Sequence, residues 1–290
     1  MSSNFPLFNP ENFVGRESSL EKLHENLQKG NQTVLMNGLG GIGKTSVAQM
    51  YCYLHHENYQ HFAWISQTDT FENAWLNAIG LQKNLEIAIT DNPAQTVRNM
   101  LHALNNITGN NLLILDNADN SVRAYADALP KTWKILLTSR EKMDDRFKEQ
   151  TLGVISFEEA KKLFAQYYTK APFTDKTLKA LCEEIGYHTL TLELLAKTLQ
   201  ESFELETIAD LIEYLQTNRL ADEALQEKIN TNHHSKEEVE IYTHLIQAFT
   251  LATLSDEEKW LLLQFAVMPP IPHDAKVFLQ WIQIENTKLY

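Results

Sequence analysis

Sulfur and positive charge are both scarce in this chain of 290 residues. Cys52 and Cys182 are its only cysteines, too few for a disulfide scaffold and in keeping with a reducing compartment. Lys plus Arg number 25 against 38 Asp plus Glu, so the formal net charge is −13. That balance argues against broad binding to nucleic acid or an anionic membrane through net charge. No apolar run approaches the roughly 18 residues of a membrane span. The start, Met1 to Pro6, lacks a basic stretch followed by an apolar core, so no signal peptide is expected. Internal repeats and low-complexity tracts are absent as well. What remains is a soluble, cytoplasmic α/β protein, long enough for about two domains.

One stretch organises the rest: Gly38-Leu39-Gly40-Gly41-Ile42-Gly43-Lys44-Thr45. It follows the apolar run Thr33 to Met36 and opens a helix-compatible segment, Ser46 to His56. That is the strand, glycine-rich loop and helix order of a phosphate-binding loop, with G-x-x-x-x-G-K-[ST] met at Gly38, Gly43, Lys44 and Thr45. The glycines let the backbone turn its N–H groups toward phosphate oxygens. Gly40, Gly41, Ile42 and Ser46 are therefore expected among the contacts. Lys44 is expected to reach the β- and γ-phosphates and Thr45 to hold Mg²⁺, while the helix N-terminus favours negative charge.

Residues 1–13, with Pro6 and Pro10, read as an extended arm. A helix is expected from Ser18 to Lys29, ended by Gly30, and a strand at His61–Ser66. Helices are expected at Phe71–Gln82 and Pro93–Asn106. Asn111 to Leu115 is continuously apolar, as a strand covered on both faces is, and runs into Asp116. A short helix at Ser121–Ala128, a buried strand at Lys134–Thr138 and a last short strand at Thr151–Ile155 complete an alternating α/β half.

The pattern changes after Ser156. Ser156-Phe157-Glu158-Glu159 is a capping box, with Ala160, Leu163, Phe164 and Tyr167 on the apolar face behind it. Helices are expected at Lys176–Ile185, Leu190–Ser202, Ile208–Thr217 and Lys236–Leu254, then from Ser255 to Phe265 and from Ala275 to Ile284. The last of these is amphipathic with nothing behind it, as though the chain were cut from something longer. The divisions are thus 1–155 for a nucleotide-binding domain with its arm, 156–235 for a helical lid, and 236–290 for a further domain's beginning.

Asp116 ends a buried strand, where a carboxylate can share the Mg²⁺ bound by Thr45. Arg140 ends the next strand, which in the branch of P-loop proteins with an inserted strand lies between the loop strand and the carboxylate strand. Arg140 is then expected to face the γ-phosphate as a sensor, the other reading being a solvated arginine that starts an exposed loop. Fast ATPases of this branch place a second carboxylate after the first; here the residue is Asn117, which can orient water but takes no proton. Asp119 is the nearest substitute, and it reads equally as the N-cap of the helix after it. Hydrolysis is expected to be slow. Gly186 to Leu192 reads by itself as a helix junction with a satisfied surface histidine, His188. The pairs His55-His56 and His233-His234 lack a Cys or spaced carboxylate partner and read as solvated surface rather than metal ligands. Cys52 reads as a small core residue. No N-K-x-D guanine-reading motif is present, which tilts the base toward adenine.

Together these residues resemble the STAND class of signalling ATPases, specifically the NB-ARC-like nucleotide-binding modules. The marks are Val14-Gly15-Arg16, Gly38–Thr45, Leu112 to Asp116, Thr138-Ser139-Arg140, and Gly186 to Leu192 in place of the family's G-x-x-P-L-A-L. The resemblance implies a P-loop NTPase sheet flanked by helices, then an all-α lid and the start of a winged helix from about Lys236. It implies that Val14, Gly15 and Arg16 line the adenine and ribose side, that Arg140 is the first sensor arginine, and that Thr189 and Leu190 contact the nucleotide from the lid. Thr189 stands where the family has a proline that packs on adenine. The family's M-H-D histidine has no match; His273-Asp274 comes too early. With about a dozen residues before Val14, an effector is expected only beyond Tyr290.

The function so implied is an ATP/ADP switch with slow hydrolysis, which opens and self-assembles in the ATP state and acts on a protein partner in defence or cell-death signalling. The alternatives are a constitutive P-loop ATPase or a small-molecule kinase. A kinase lid is normally rich in arginine, whereas only Arg219 follows Ser156. A nucleic-acid-dependent ATPase is disfavoured by the charge.

Overall fold

The computed structural model describes residues 2–3, 6, 8–29, 33–143, 146–202 and 205–219, all within Met1–Phe249, the first of two compact units. The expected winged-helix segment 236–290, the pair His233-His234 and His273-Asp274 lie outside the described residues.

Six strands, all parallel, form one sheet: β1 (Ser2–Ser3), β2 (Thr33–Asn37), β3 (His61–Ser66), β4 (Asn111–Asp116), β5 (Trp133–Ser139) and β6 (Lys148–Thr151). Their order across the sheet is β1-β3-β4-β5-β2-β6. Period-two alternation splits the buried strand residues between two faces. Leu35, Ala63, Leu113, Leu115, Ile135 and Leu137 face one apolar cluster. Val34, Met36, Trp64, Leu112, Ile114 and Leu136 face the other.

Helices cover both faces. α1 (Glu17–Gln28) and α2 (Lys44–His55) close the second cluster through Leu20, Leu23, Leu27, Val47 and Tyr51. α3 (Phe71–Leu76), α4 (Ile79–Leu85) and α5 (Pro93–Asn105), with the 3-10 segment Asn120–Ala128, close the first. Each fully buried Leu contributes about 1.5–3 kcal/mol of transfer free energy, so the two layers hold the sheet from both sides. This is the doubly covered parallel sheet of a P-loop NTPase.

Three local departures from the sequence pattern have physical causes. The helix expected over Phe71–Gln82 is two, broken at Asn77-Ala78. The buried Gln82 amide donates to the carbonyls of Trp75 (3.1 Å) and Leu76 (2.6 Å) at the break, where Trp75 O also accepts from Ala78 N (3.2 Å). The last strand is Lys148–Thr151 rather than Thr151–Ile155. It is polar because it is an edge; its one buried residue, Gln150, donates to Ser19 O (2.9 Å) and accepts from Asn26 Nδ2 (3.1 Å). Tyr167, expected on the core face of its helix, is only partly buried, and Tyr168, just past the helix end, is the buried one.

Beyond β6 come α6 (Phe157–Tyr167), α7 (Asp175–Glu184), α8 (Thr189–Glu201) and α9 (Ile208–Arg219). The Ser156–Glu159 capping box forms, with Glu159 N donating to Ser156 Oγ (3.3 Å) and Ser156 N donating to Glu159 Oε2 (2.7 Å). α6 packs on α8, and α7 on α9. No helix among the described residues is long and apolar enough to cross a membrane.

Candidate functional site

Parallel strands end at one edge of a sheet, and ligands of such sheets bind in the crevice outside those carboxyl ends. β5 lies between β2 and β4, with Asn37 paired to Ser139 and Leu115 to Leu137. The glycine-rich loop after β2, Asn117 just after β4 and Arg140 just after β5 therefore converge on one cavity of about 260 Å³, with Asp116 behind it bonded to Thr45. Its lining includes Gly40, Gly43, Lys44, Thr45, Asn117 and Arg140.

Lys44 is 8% exposed, and its Nζ donates to Gly38 O (2.8 Å) and Leu39 O (2.7 Å). Burial, then the charge of Arg140, pushes its ammonium down to about 8, against an upward pull from Asp116. Thr45 Oγ1 donates to Asp116 Oδ1 at 2.8 Å, and Thr138 Oγ1 donates to the same oxygen at 2.6 Å. A hydroxyl and a carboxylate held together are the hard oxygen donors that Mg²⁺ takes alongside phosphate oxygens and water. The donor set fits that ion.

Asn117 has a left-handed backbone (φ 58°), its N–H donates to Thr138 Oγ1 (2.9 Å), and its Nδ2 donates to Gln67 O (2.8 Å). One side-chain N–H is thus engaged, and Asn117 lines the cavity with an amide rather than a carboxylate. Asp119 caps the 3-10 segment, accepting from Ser121 N at 2.8 Å and from Ser121 Oγ. Burial works upward on its carboxyl, but the bonds from Ser121 and Gln67 outweigh it and hold the group below the usual carboxylate range. It does not line the cavity with Lys44. The guanidinium of Arg140, on an exposed residue, lies against Gly40, 3.4 Å from where a Cβ would stand.

A second cavity of about 270 Å³ shares Gly43, Ser46, Thr189 and Glu193 with the first and continues toward Val14, Phe13 and Tyr167. Val14 and Arg16 line it, while Gly15 does not. Gly15 and Arg16 are successive left-handed residues (φ 69° and 68°), which turns the chain so that Arg16 N donates to Glu159 Oε1 at 2.6 Å. Arg16 is 7% exposed; its guanidinium donates to Gly153 O (2.7 Å), Ile42 O (3.0 Å) and Thr189 Oγ1 (3.4 Å). Burial lowers its pKa and Glu159 opposes that. Arg16 is a strut joining the arm, the loop and α8.

His188 corrects the sequence reading. It is fully buried, not a surface residue, and its Nε2 lies 2.7 Å from Gly40 O. Thr189 Oγ1 donates to Ile42 O (3.3 Å), and Leu190 N donates to Gly41 O (3.2 Å). Glu159, Glu193 and Tyr167 also reach the cleft, and only the capping box had singled out Glu159. His55 stacks on His24 at 4.3 Å, and no group of three or more metal-ligating side chains occurs among the described residues. Burial pushes the thiols of Cys52 and Cys182 up to about 12, so they stay protonated core groups.

Comparison with known proteins agrees with this geometry. The NB-ARC domain family matches residues 16–172, more than half of the chain. Disease resistance RPP8-like protein 3 of Arabidopsis thaliana is 30% identical over 148 residues, 47% of this chain and 16% of that protein. Probable disease resistance RPP8-like protein 4 of the same plant is 31% identical over 149 residues, again 47% and 16%. The match thus spans about a sixth of the length of these relatives. Among solved structures, the Walker-type ATPase PABY2304 of Pyrococcus abyssi shares the fold at 13% identity, with a TM-score of 0.51 over 89% of this chain and 90% of that one. With the loop, the strand order and the family match in agreement, the chain belongs to the NB-ARC family, nucleotide-binding P-loop NTPases of the STAND type.

Proposed function

We propose that the chain is an ATP/ADP switch that holds its nucleotide tightly and hydrolyses it slowly. The observation that carries this reading is the pairing of a phosphate site with a helix docked on its loop, and an amide, Asn117, directly after Asp116. Lys44, the loop amides and Arg140 would hold the phosphates, and Ser46 with Val14 and Thr189 the ribose and base end. Thr45 and Asp116 would hold Mg²⁺, which when bound neutralises charge on the phosphate oxygens. Asn117 would orient water through its amide oxygen, and Asp119 serves as a cap. Residues 1–155 form the nucleotide-binding domain, 156–235 the lid and 236–290 the start of a winged helix.

In this reading the ADP state is closed and the ATP state opens and self-assembles to engage a protein partner. The names of the plant relatives support defence as the setting. The test is the nucleotide retained through purification. Tightly held ADP with turnover below about one per minute supports the switch, whereas turnover near the median enzyme rate of roughly 10 per second would sink it. A retained guanine nucleotide would overturn the base assignment, and a phosphorylated small product would favour a kinase.

A further inference from the structure

Three consecutive carbonyls on the outer side of the phosphate loop are bonded from one short stretch of chain. Gly40 O meets His188 Nε2, Gly41 O accepts from Leu190 N, and Ile42 O accepts from Thr189 Oγ1. The partners of His188 fix its tautomer: Nδ1 accepts from the Thr191 N–H at 3.3 Å, so the ring proton sits on Nε2 and is donated to Gly40 O. In a planar trans peptide the C=O and the following N–H point in opposite directions. A Gly40 carbonyl drawn to His188 therefore turns the Gly41 N–H to the side away from that ring, and Gly41 lines the cavity together with Lys44. The Ile42 N–H is instead turned back to Leu39 O (3.4 Å), which leaves the Gly41 N–H as the one His188 presets. A Cβ on Gly41 would come within 2.9 Å of His188 Cε1, so this approach is as close as glycine permits. His188 lies outside the segment 16–172 matched by the family.

We propose that His188 is a positioning residue of the phosphate site: its Nε2–H holds the Gly40 carbonyl and so presets the Gly41 N–H for a phosphate oxygen. Affinity for the polyphosphate tail and docking of α8 on the loop are then two sides of one coupling. The inference rests on the nucleotide reading above and names the contact through which the lid regulates that site.

The test compares the full chain with His188→Asn and His188→Gln, each titrated with ADP and, by competition, with AMP, which lacks the β-phosphate. Asparagine keeps an N-cap oxygen for the Thr191 N–H but is too short to reach Gly40; glutamine extends an amide donor further. His188→Asn is expected to weaken ADP roughly tenfold and AMP by less than about twofold, with the melting temperature of the nucleotide-free chain nearly kept. His188→Gln should recover part of the ADP affinity. Unchanged ADP affinity in His188→Asn, or an equal loss for ADP and AMP, overturns the inference. A parent chain that binds neither nucleotide would instead sink the reading on which it rests.

Discussion

The inner and outer sides of the phosphate loop are built from different kinds of residue. The inner side is local and motif-bound: Lys44 and Thr45 follow the glycines directly, Asp116 meets Thr45 from one parallel strand, and Thr138 holds Asp116 from the next. The outer side is assembled from far along the chain, with Arg16 from the arm, Glu159 bonded to its backbone, and His188 to Leu190 from the start of the third helix after the sheet. The inner residues present charge to a ligand. Those outside present donors to the loop's own carbonyls, so they set its shape. A phosphate loop of this kind has its chemistry fixed by one side and its readiness by the other.

Breaking the inner side should show first in chemistry. Asp116→Asn is expected to cut turnover by about 100- to 1,000-fold, with ADP affinity changed only a few-fold; steady-state phosphate release measures this, and near-normal turnover would remove Asp116 from the metal site. Lys44→Ala should weaken ADP by about a hundredfold by loss of the charged contact, and copurified nucleotide should disappear.

Arg16→Ala attacks the outer side. It strips a buried guanidinium from four acceptors, the oxygens of Gly153, Val154, Ile42 and Thr189, and should cost about 2–3 kcal/mol, seen as a melting temperature several degrees lower even without nucleotide. Arg16→Lys, with no planar fork, should rescue little.

The pH dependence separates the two sides. The Lys44 ammonium is held near 8, so below that pH it is already charged for phosphate, and above it binding must take up a proton. ADP affinity should be flat from pH 6 to 7.5 and fall about tenfold between pH 7 and 9, with proton uptake measurable by calorimetry in buffers of different ionisation enthalpy. A flat profile to pH 9 would place the Lys44 pKa higher. The smallest effect is reserved for Asp119→Asn, since asparagine caps as well as aspartate and turnover should change less than about twofold. A tenfold loss would make Asp119 a base after all.

The same division explains what could be read in advance. The inner side was legible because its chemistry needs fixed spacing: a loop, then lysine and threonine, then an apolar run closed by Asp116. The buried strands were legible as well, because a run such as Leu112–Leu115 is apolar on both faces only if covered on both. β6 was misplaced because an edge strand carries no such run. The break between α3 and α4 was hidden because it depends on one buried amide, Gln82, returning to two carbonyls. His188 was taken for surface since a lone histidine at a helix start carries no signal of what lies opposite. Only the tertiary approach of α8 to Gly41 buries it.

The two ends of the sheet bear on how copies of this chain could meet. One edge is β1, a strand of two residues, and the other is β6, whose outward positions are Lys148, Glu149 and Thr151. Brevity at one margin and charge at the other are both devices that discourage strand recruitment. Among the described residues, then, neither margin of the sheet invites a strand from a second copy of the chain.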